Sequence, residues 1–202
     1  MIRFGVLISG SGTNLQAIID ACAAGEIAGK VAVVISNKED AFGLERARRA
    51  GIPAVHIDPK AFAGAAAYNA AVRFALQTHA VDYVVMAGYM KLLGAAVLEA
   101  YPMRVVNIHP ALLPSFAGAH GIRDAFAHGV KVTGVTVHFA NEIFDEGPII
   151  AQEAVPVLED DTIDTLEARI HEVEHRLLPA ALAAIADGRV AVEGRRVRVA
   201  AR

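Results

Sequence analysis

Four short runs of this chain are continuously apolar and rich in β-branched residues: Phe4–Ile8, Val31–Ile35, Tyr83–Met86 and Val105–Ile108. None alternates between an apolar and a polar face. Each therefore reads as a strand buried on both sides, the condition of a parallel sheet covered by helices.

Helical patterns lie between these runs, at about 14–24, 42–50, 66–78 and 95–100, and Ala54–Ile57 supplies a further strand after Gly51 and Pro53. Such alternation predicts an α/β doubly wound fold, Rossmann-like, with a mostly parallel central sheet flanked by helices. Val132–Phe139 and Ile149–Val155 read as an extension of the sheet. A long helix follows over about 161–186, stopped by Asp187-Gly188, and 189–199 reads as a small hairpin turning at Glu193-Gly194. With 202 residues, 54% of them apolar, the expectation is a single domain over 1–202 with a well-buried interior.

Charge and cysteine usage narrow the function classes. The formal net charge is −3, and the one dense basic stretch, Arg195 to Arg198, reads as a solvated turn. No nucleic-acid partner is expected. The single cysteine, Cys22, permits no internal disulfide and fits a reducing compartment. Ile2–Ile8 is too short and wrongly flanked for a signal peptide or membrane span, so a soluble, cytoplasmic protein is expected, with no membrane partner.

Ligands of open parallel sheets sit beyond the carboxyl ends of the strands. The first strand exits into Ser9-Gly10-Ser11-Gly12-Thr13-Asn14, which opens a helix. Glycines let backbone N–H groups approach an anion, and the helix N-terminus favours negative charge. The loop reads as a phosphate site or as a tight turn that needs glycine. A dinucleotide fingerprint would place glycine where Leu15 stands and an acid where the second strand ends in Ser36-Asn37-Lys38. A single phosphate on a small substrate fits better.

The fourth run ends in Asn107-Ile108-His109-Pro110. Residues two apart on a strand point the same way, so an amide and an imidazole stand side by side at a strand exit. The amide can donate to a developing oxyanion, and the imidazole can donate too or move a proton near neutral pH. A satisfied core histidine is the competing reading. Glu142, Asp145 and Glu146 stand in the later loop 141–148, and the sequence does not say which comes near an imidazole. The segment after Pro114 reads as a loop in which His120 could line a cleft.

His171-Glu172-Val173-Glu174-His175 matches a zinc-protease pattern. Helical geometry argues against it. Ile163, Leu166, Ile170, Val173, Leu177, Ala181 and Ile185 form the expected buried stripe, Glu172 points away from it, and Glu174 lies nearly on it. No metal is expected. A carboxylate on an apolar face needs partners, either sugar hydroxyls or an internal cation.

Jointly, Leu7–Ile18, Ser36-Asn37-Lys38, Ala41–Ala47, Ala87-Gly88-Tyr89-Met90, Asn107–Phe116 and Asp145–Pro148 resemble the phosphoribosylglycinamide formyltransferase family, over about 2–190. The resemblance implies transfer of a formyl group from 10-formyltetrahydrofolate, the co-substrate, to the primary amine of glycinamide ribonucleotide, a step of purine biosynthesis. It places the catalytic roles on Asn107, His109 and Asp145. Substrate phosphate falls on Gly12, Thr13 and Asn14, and ribose on Glu174, with His171 beside it. The folate falls on Met90, Lys91, Leu92 and Leu93, on Asn107, and on Asn141, Glu142, Ile143, Phe144 and Asp145. An arginine that some members place near the folate is Ala65 here, and a proline that many carry before Gly118 is Ala117. A homodimer is compatible with the resemblance and is not specified by it.

Two relatives of that chemistry differ in architecture. A formyltetrahydrofolate deformylase would carry an N-terminal regulatory domain, and strand one here begins at residue 2. A methionyl-tRNA formyltransferase would add a C-terminal RNA-binding domain and a basic surface. A nucleotide-binding sensor would explain the glycine loop, but not Asn107 and His109 on one strand edge.

Overall fold

The structure is a computed structural model that describes residues 1–143 and 145–201. Contacts divide the chain into two compact units, Met1–Val106 and Asn107–Arg202. The first contains β1 (Ile2–Ile8), α1 (Thr13–Ala23), β2 (Gly29–Ser36), α2 (Phe42–Arg49), β3 (Ala54–His56), α3 (Ala65–Thr78), β4 (Tyr83–Met86) and α4 (Ala95–Leu98). Its strands pair in parallel, β1 with β2 and β4, and β2 with β3. Phe4, Val6, Leu7, Ile8, Val33, Val34, Ile35, Val84 and Val85 are wholly buried, which is why these runs show no polar alternation. Each such side chain contributes roughly 1.5–3 kcal/mol by leaving water.

β5 (Val105–His109) bridges the division in sequence. The second unit continues with α5 (Gly121–His128), β6 (Val132–Phe139), β7 (Ile149–Pro156), α6 (Ile163–Ala186), β8 (Val190–Glu193) and β9 (Arg196–Val199). The central sheet runs β3-β2-β1-β4-β5-β6-β7, and β8-β9 form the small hairpin. β6 and β7 are antiparallel. α6 starts at a Thr162–Thr165 capping box and packs on β6, β7 and α5.

Two expectations change. The segment after Pro114 is not all loop: α5 occupies 121–128, and His120 stands exposed at its N-cap. Only eight residues long and beginning with glycine, this helix carries a weak periodic signal. On α6, the buried row is Leu166, Ile170, Glu174, Leu178 and Leu182, with Leu178 taking the place expected of the half-exposed Leu177. The i+4 spacing of that row brings Glu174 into the buried face, and Glu172 is exposed as expected.

Candidate active site

β5 delivers Asn107 and His109 to its exit on one face, and Pro110 ends the strand. The chain beyond is pinned by Thr136 on β6. Its hydroxyl donates to the Ala111 carbonyl at 2.6 Å and accepts from the Leu113 N–H at 3.1 Å and from Gln152 Nε2 at 3.0 Å. One donor and two lone pairs are thereby used, so this buried hydroxyl is fully satisfied. Gln152, on β7, also donates to the Leu113 carbonyl at 2.9 Å.

β6 exits into the loop that carries the three acids. Gly147 makes its return possible: a Cβ there would lie 1.6 Å from the Phe139 carbonyl oxygen, so any other residue would push the loop off the strand end. The Phe139 N–H donates to the Pro148 carbonyl at 2.9 Å and closes the loop. Asp145 sits within it at φ 56°, in the left-handed region that Asp enters more readily than most residues other than glycine. Glu142 and Glu146 are exposed, whereas the Asp145 side chain is only 1% exposed. Which acid meets an imidazole is thus settled by the loop's geometry.

Asp145 is surrounded by donors. The Gly118 N–H donates to its Oδ2 at 2.9 Å, Asn107 Nδ2 donates to its Oδ1 at 3.3 Å, and His109 Nδ1 lies 3.4 Å from Oδ2. His138, a buried ring from the end of β6, places Nε2 3.5 Å from Oδ1. Burial alone would push the carboxyl up. The Gly118 N–H and the adjacent imidazole rings outweigh it and hold Asp145 below the usual carboxylate range.

His109 is 4% exposed at its side chain, and its Nε2 donates to the Phe116 carbonyl at 2.8 Å. A carbonyl only accepts, so that nitrogen carries hydrogen, while Nδ1 faces a carboxylate. Both ring nitrogens therefore face acceptors, the surroundings that suit an imidazolium. Phe116 itself has φ 55°, a second non-glycine residue in the left-handed region at this site. The cluster can present a cationic N–H and an amide N–H to one oxygen, with a buried carboxylate behind them.

Glu174 and His171 pair with each other on α6. His171 Nδ1 donates to Glu174 Oε2 at 2.7 Å, and its Nε2 lies 3.5 Å from Glu167. The Glu174 hydrogen bond is the main reason the His171 ring is pushed up from its ordinary value, against desolvation. Among the described residues no group of side chains could hold a metal ion.

In the first unit, Gly12 caps α1 at φ 70°. A Cβ on Gly12 would stand 2.7 Å from Gly43 Cα, and one on Gly43 would meet Ile8 Cδ1 at 2.4 Å. Close approach of the loop to α2 therefore requires glycine on both sides, and the Gly43 N–H donates to the Gly10 carbonyl at 3.1 Å. Arg46 braces the same loop, donating to the Ser11 carbonyl at 2.9 Å and to Gln16 at 3.2 Å. Gly12, as N-cap, brings no side chain to the first turn of α1, and the helix N-terminus at Thr13 and Asn14 favours an anion.

The segment 89–94 is anchored and yet presents apolar side chains. Tyr89 shares a buried hydrogen bond with Tyr68, the Met90 N–H donates to Ser9 Oγ at 2.8 Å, and the Gly94 N–H donates to Asn69 Oδ1 at 2.8 Å. Met90 and Leu92 are nonetheless 63% and 64% exposed, Lys91 is exposed, and Leu93 turns inward. In the second unit Asn141, Glu142 and Ile143 are exposed, and Phe144 lies outside the described residues. Sequence reasoning missed His138, Thr136, Phe116 and Gly118. For His138 a signal existed, since it puts a titratable ring between Val137 and Phe139 at the buried end of β6.

A profile of the formyl transferase family matches residues 2–182. The chain is 45% identical over 185 residues to the phosphoribosylglycinamide formyltransferase of Escherichia coli K12, covering 92% of this chain and 87% of that one. Among solved structures, glycinamide ribonucleotide transformylase 1 from Symbiobacterium toebii is 57% identical with a TM-score of 0.97, covering 98% of this chain and 94% of that one. Phosphoribosylglycinamide formyltransferase from Bacillus halodurans is 48% identical with a TM-score of 0.89, covering 91% and 94%.

Proposed function

This chain belongs to the formyl transferase family, and we propose that it moves the formyl group of 10-formyltetrahydrofolate to the primary amine of glycinamide ribonucleotide. The products are formylglycinamide ribonucleotide and tetrahydrofolate. The observation that carries this reading is the convergence of Asn107, His109 and Asp145, three side chains distant in sequence, on one buried hydrogen-bonded cluster.

Formyl folate supplies an activated one-carbon acyl group. Asn107 and the His109 imidazolium stabilise the negative charge that develops on the formyl oxygen as the amine attacks. For His109 this means exchanging the Phe116 carbonyl for the formyl oxygen as the acceptor of its Nε2–H. Asp145 holds His109 in its charged form and relays the proton lost by the attacking amine, while the folate nitrogen gains one overall. Holding two reactants together supplies a further part of the acceleration, since effective molarities reach about 10⁵ M or more in favourable cases.

The binding assignments have their own support. Thr13 and Asn14, beyond Gly12, offer backbone donors to the substrate phosphate at the α1 N-terminus. Glu174, with His171, offers a carboxylate to ribose hydroxyls. In the first unit Met90 and Leu92, exposed on an anchored segment, offer apolar surface suited to the flat ring system of a folate, with Lys91 beside them; in the second unit the exposed Asn141, Glu142 and Ile143 are assigned to it by the resemblance. Ala65, exposed at the start of α3, offers no charge to the folate where some relatives have arginine. No described helix is long and apolar enough to cross a membrane. We read the chain as one formyltransferase domain acting in the cytoplasm, supported by the span of the family match and the lone thiol.

The test is to mix the protein with both substrates and follow formylated amine and free folate, with and without the amine. Product that requires the amine supports transfer. Folate turnover that ignores the amine would mean hydrolysis.

A further inference from the structure

His138 is buried at the end of β6 beside the two groups that the transfer reading uses, and its surroundings fix its chemistry. Nδ1 donates to the Phe139 carbonyl at 2.9 Å, so that nitrogen holds a proton. In the neutral ring Nε2 then offers a lone pair. Asn107 Nδ2 lies 3.1 Å from Nε2 and 3.3 Å from Asp145 Oδ1, and those two acceptors are 3.5 Å apart. The three separations make a nearly equilateral triangle. Seen from Asn107 Nδ2, the acceptors therefore lie much closer in direction than the two hydrogens of an amide, which are about 120° apart for a planar NH₂ group. One N–H reaches both in a three-centre bond, and the second N–H is left for another acceptor.

We propose that His138 is a positioning residue for formyl transfer: with its proton held at Nδ1 by the Phe139 carbonyl, it admits only the NH₂ edge of Asn107 and so fixes the rotation of that amide. Asp145 Oδ1 enforces the same choice, because a carboxylate repels the amide oxygen as a lone pair does. With the amide reversed, its oxygen would face two acceptors and no N–H would be aimed at the formyl oxygen. A free amide rotates between both orientations, so locking one orientation removes a reorganisation step from the barrier. This inference rests on the transfer reading, which gives the second N–H its task.

The decisive comparison uses His138→Leu, which removes the acceptor, and His138→Gln, which keeps one near the Nε2 position. His138→Met replaces the leucine variant if that one loses its cooperative unfolding transition. The expected result is a kcat about ten- to a hundredfold lower for the apolar variant, in the range of a misplaced reacting group. KM for both substrates should stay within about threefold, and His138→Gln should recover most of the loss, as substitution of one acceptor by another does. In an Asn107→Ala background the apolar substitution should cost little more, because a residue acting through Asn107 has nothing left to position. Losses that multiply in the double variant, or an apolar variant within about twofold of the parent, would overturn the proposal. A second arm does not depend on turnover: the ¹⁵N side-chain NH₂ signal of Asn107, assigned by its loss in Asn107→Ala, should shift and lose exchange protection in the apolar variant and keep both in His138→Gln. An unmoved signal refutes the positioning itself, whereas an inactive parent enzyme with a moved signal refutes only the transfer reading.

Discussion

Two histidine–carboxylate pairs of the second unit, His171–Glu174 and His109–Asp145, differ in how the chain makes them. His171 and Glu174 stand one turn apart on α6, 2.7 Å apart at their polar atoms, with the imidazole 40% exposed. His109 and Asp145 are separated by α5 and β6, lie 3.4 Å apart, and are both nearly inaccessible. The first pair is a property of one helix and forms wherever the helix forms. The second exists only because β5 and β6 end side by side and a glycine lets the following loop fold back. A local pair of this kind contributes about 0.2–0.5 kcal/mol, less where water screens it. A buried pair costs several kcal/mol to break, because one partner is left charged without compensation. Expensive assembly by tertiary structure is what equips the second pair for chemistry.

The largest effect should come from breaking the buried pair chemically. Asp145→Asn should lower kcat by about 10²–10⁴-fold, the range for a general acid–base group, with much smaller changes in KM. Steady-state kinetics with each substrate varied would check this, and unchanged turnover would remove Asp145 from the mechanism. Next is the loop that builds the pair. Gly147→Ala forces a Cβ against the Phe139 carbonyl and should cost roughly 2–4 kcal/mol of stability, in the upper range for a strained backbone site, together with much of the activity. The His171 titration should be untouched in that variant, which separates the two pairs; urea unfolding and imidazole NMR report the two outcomes.

A pH series sharpens the contrast. Asp145 has a lowered folded pKa, so its contribution to stability is fully present above the unfolded value of about 3.9 and is lost as pH falls through the lower folded value. His171 has a raised folded pKa, so its contribution is fully present below about 6.5 and is lost as pH rises through the higher folded value. Unfolding free energy followed against pH should therefore lose its acid-side dependence in part in Asp145→Asn. The smallest effect belongs to Glu174→Gln, which should bring the His171 midpoint back down, cost no more than about 0.5 kcal/mol through that pair, and weaken ribonucleotide binding more than turnover. A His171 midpoint unmoved by that substitution would assign the shift to Glu167 instead.

Most of the scaffold was legible in the chain. The four apolar runs, the long capped helix over 163–186 and the terminal hairpin stand where period and turn residues place them. α5 was not, being short and begun by glycine. The Asn107–His109 pair was readable because strand geometry alone puts residues two apart on one face. That Asp145 rather than Glu142 or Glu146 reaches the imidazole, and that His138 joins it, was not readable from spacing.

By itself, the order of residues determined the period of burial, the glycine positions, the helix caps and the i, i+3 pairing of His171 with Glu174, because each depends on neighbours within about one turn or one strand. Tertiary structure decided which of three acids is buried, which acceptors His109 and His138 face, and which edge of Asn107 faces inward. Those outcomes depend on atoms from β5, β6 and the loops 115–118 and 141–148 meeting within hydrogen-bond reach, and distance along a chain does not encode distance in space.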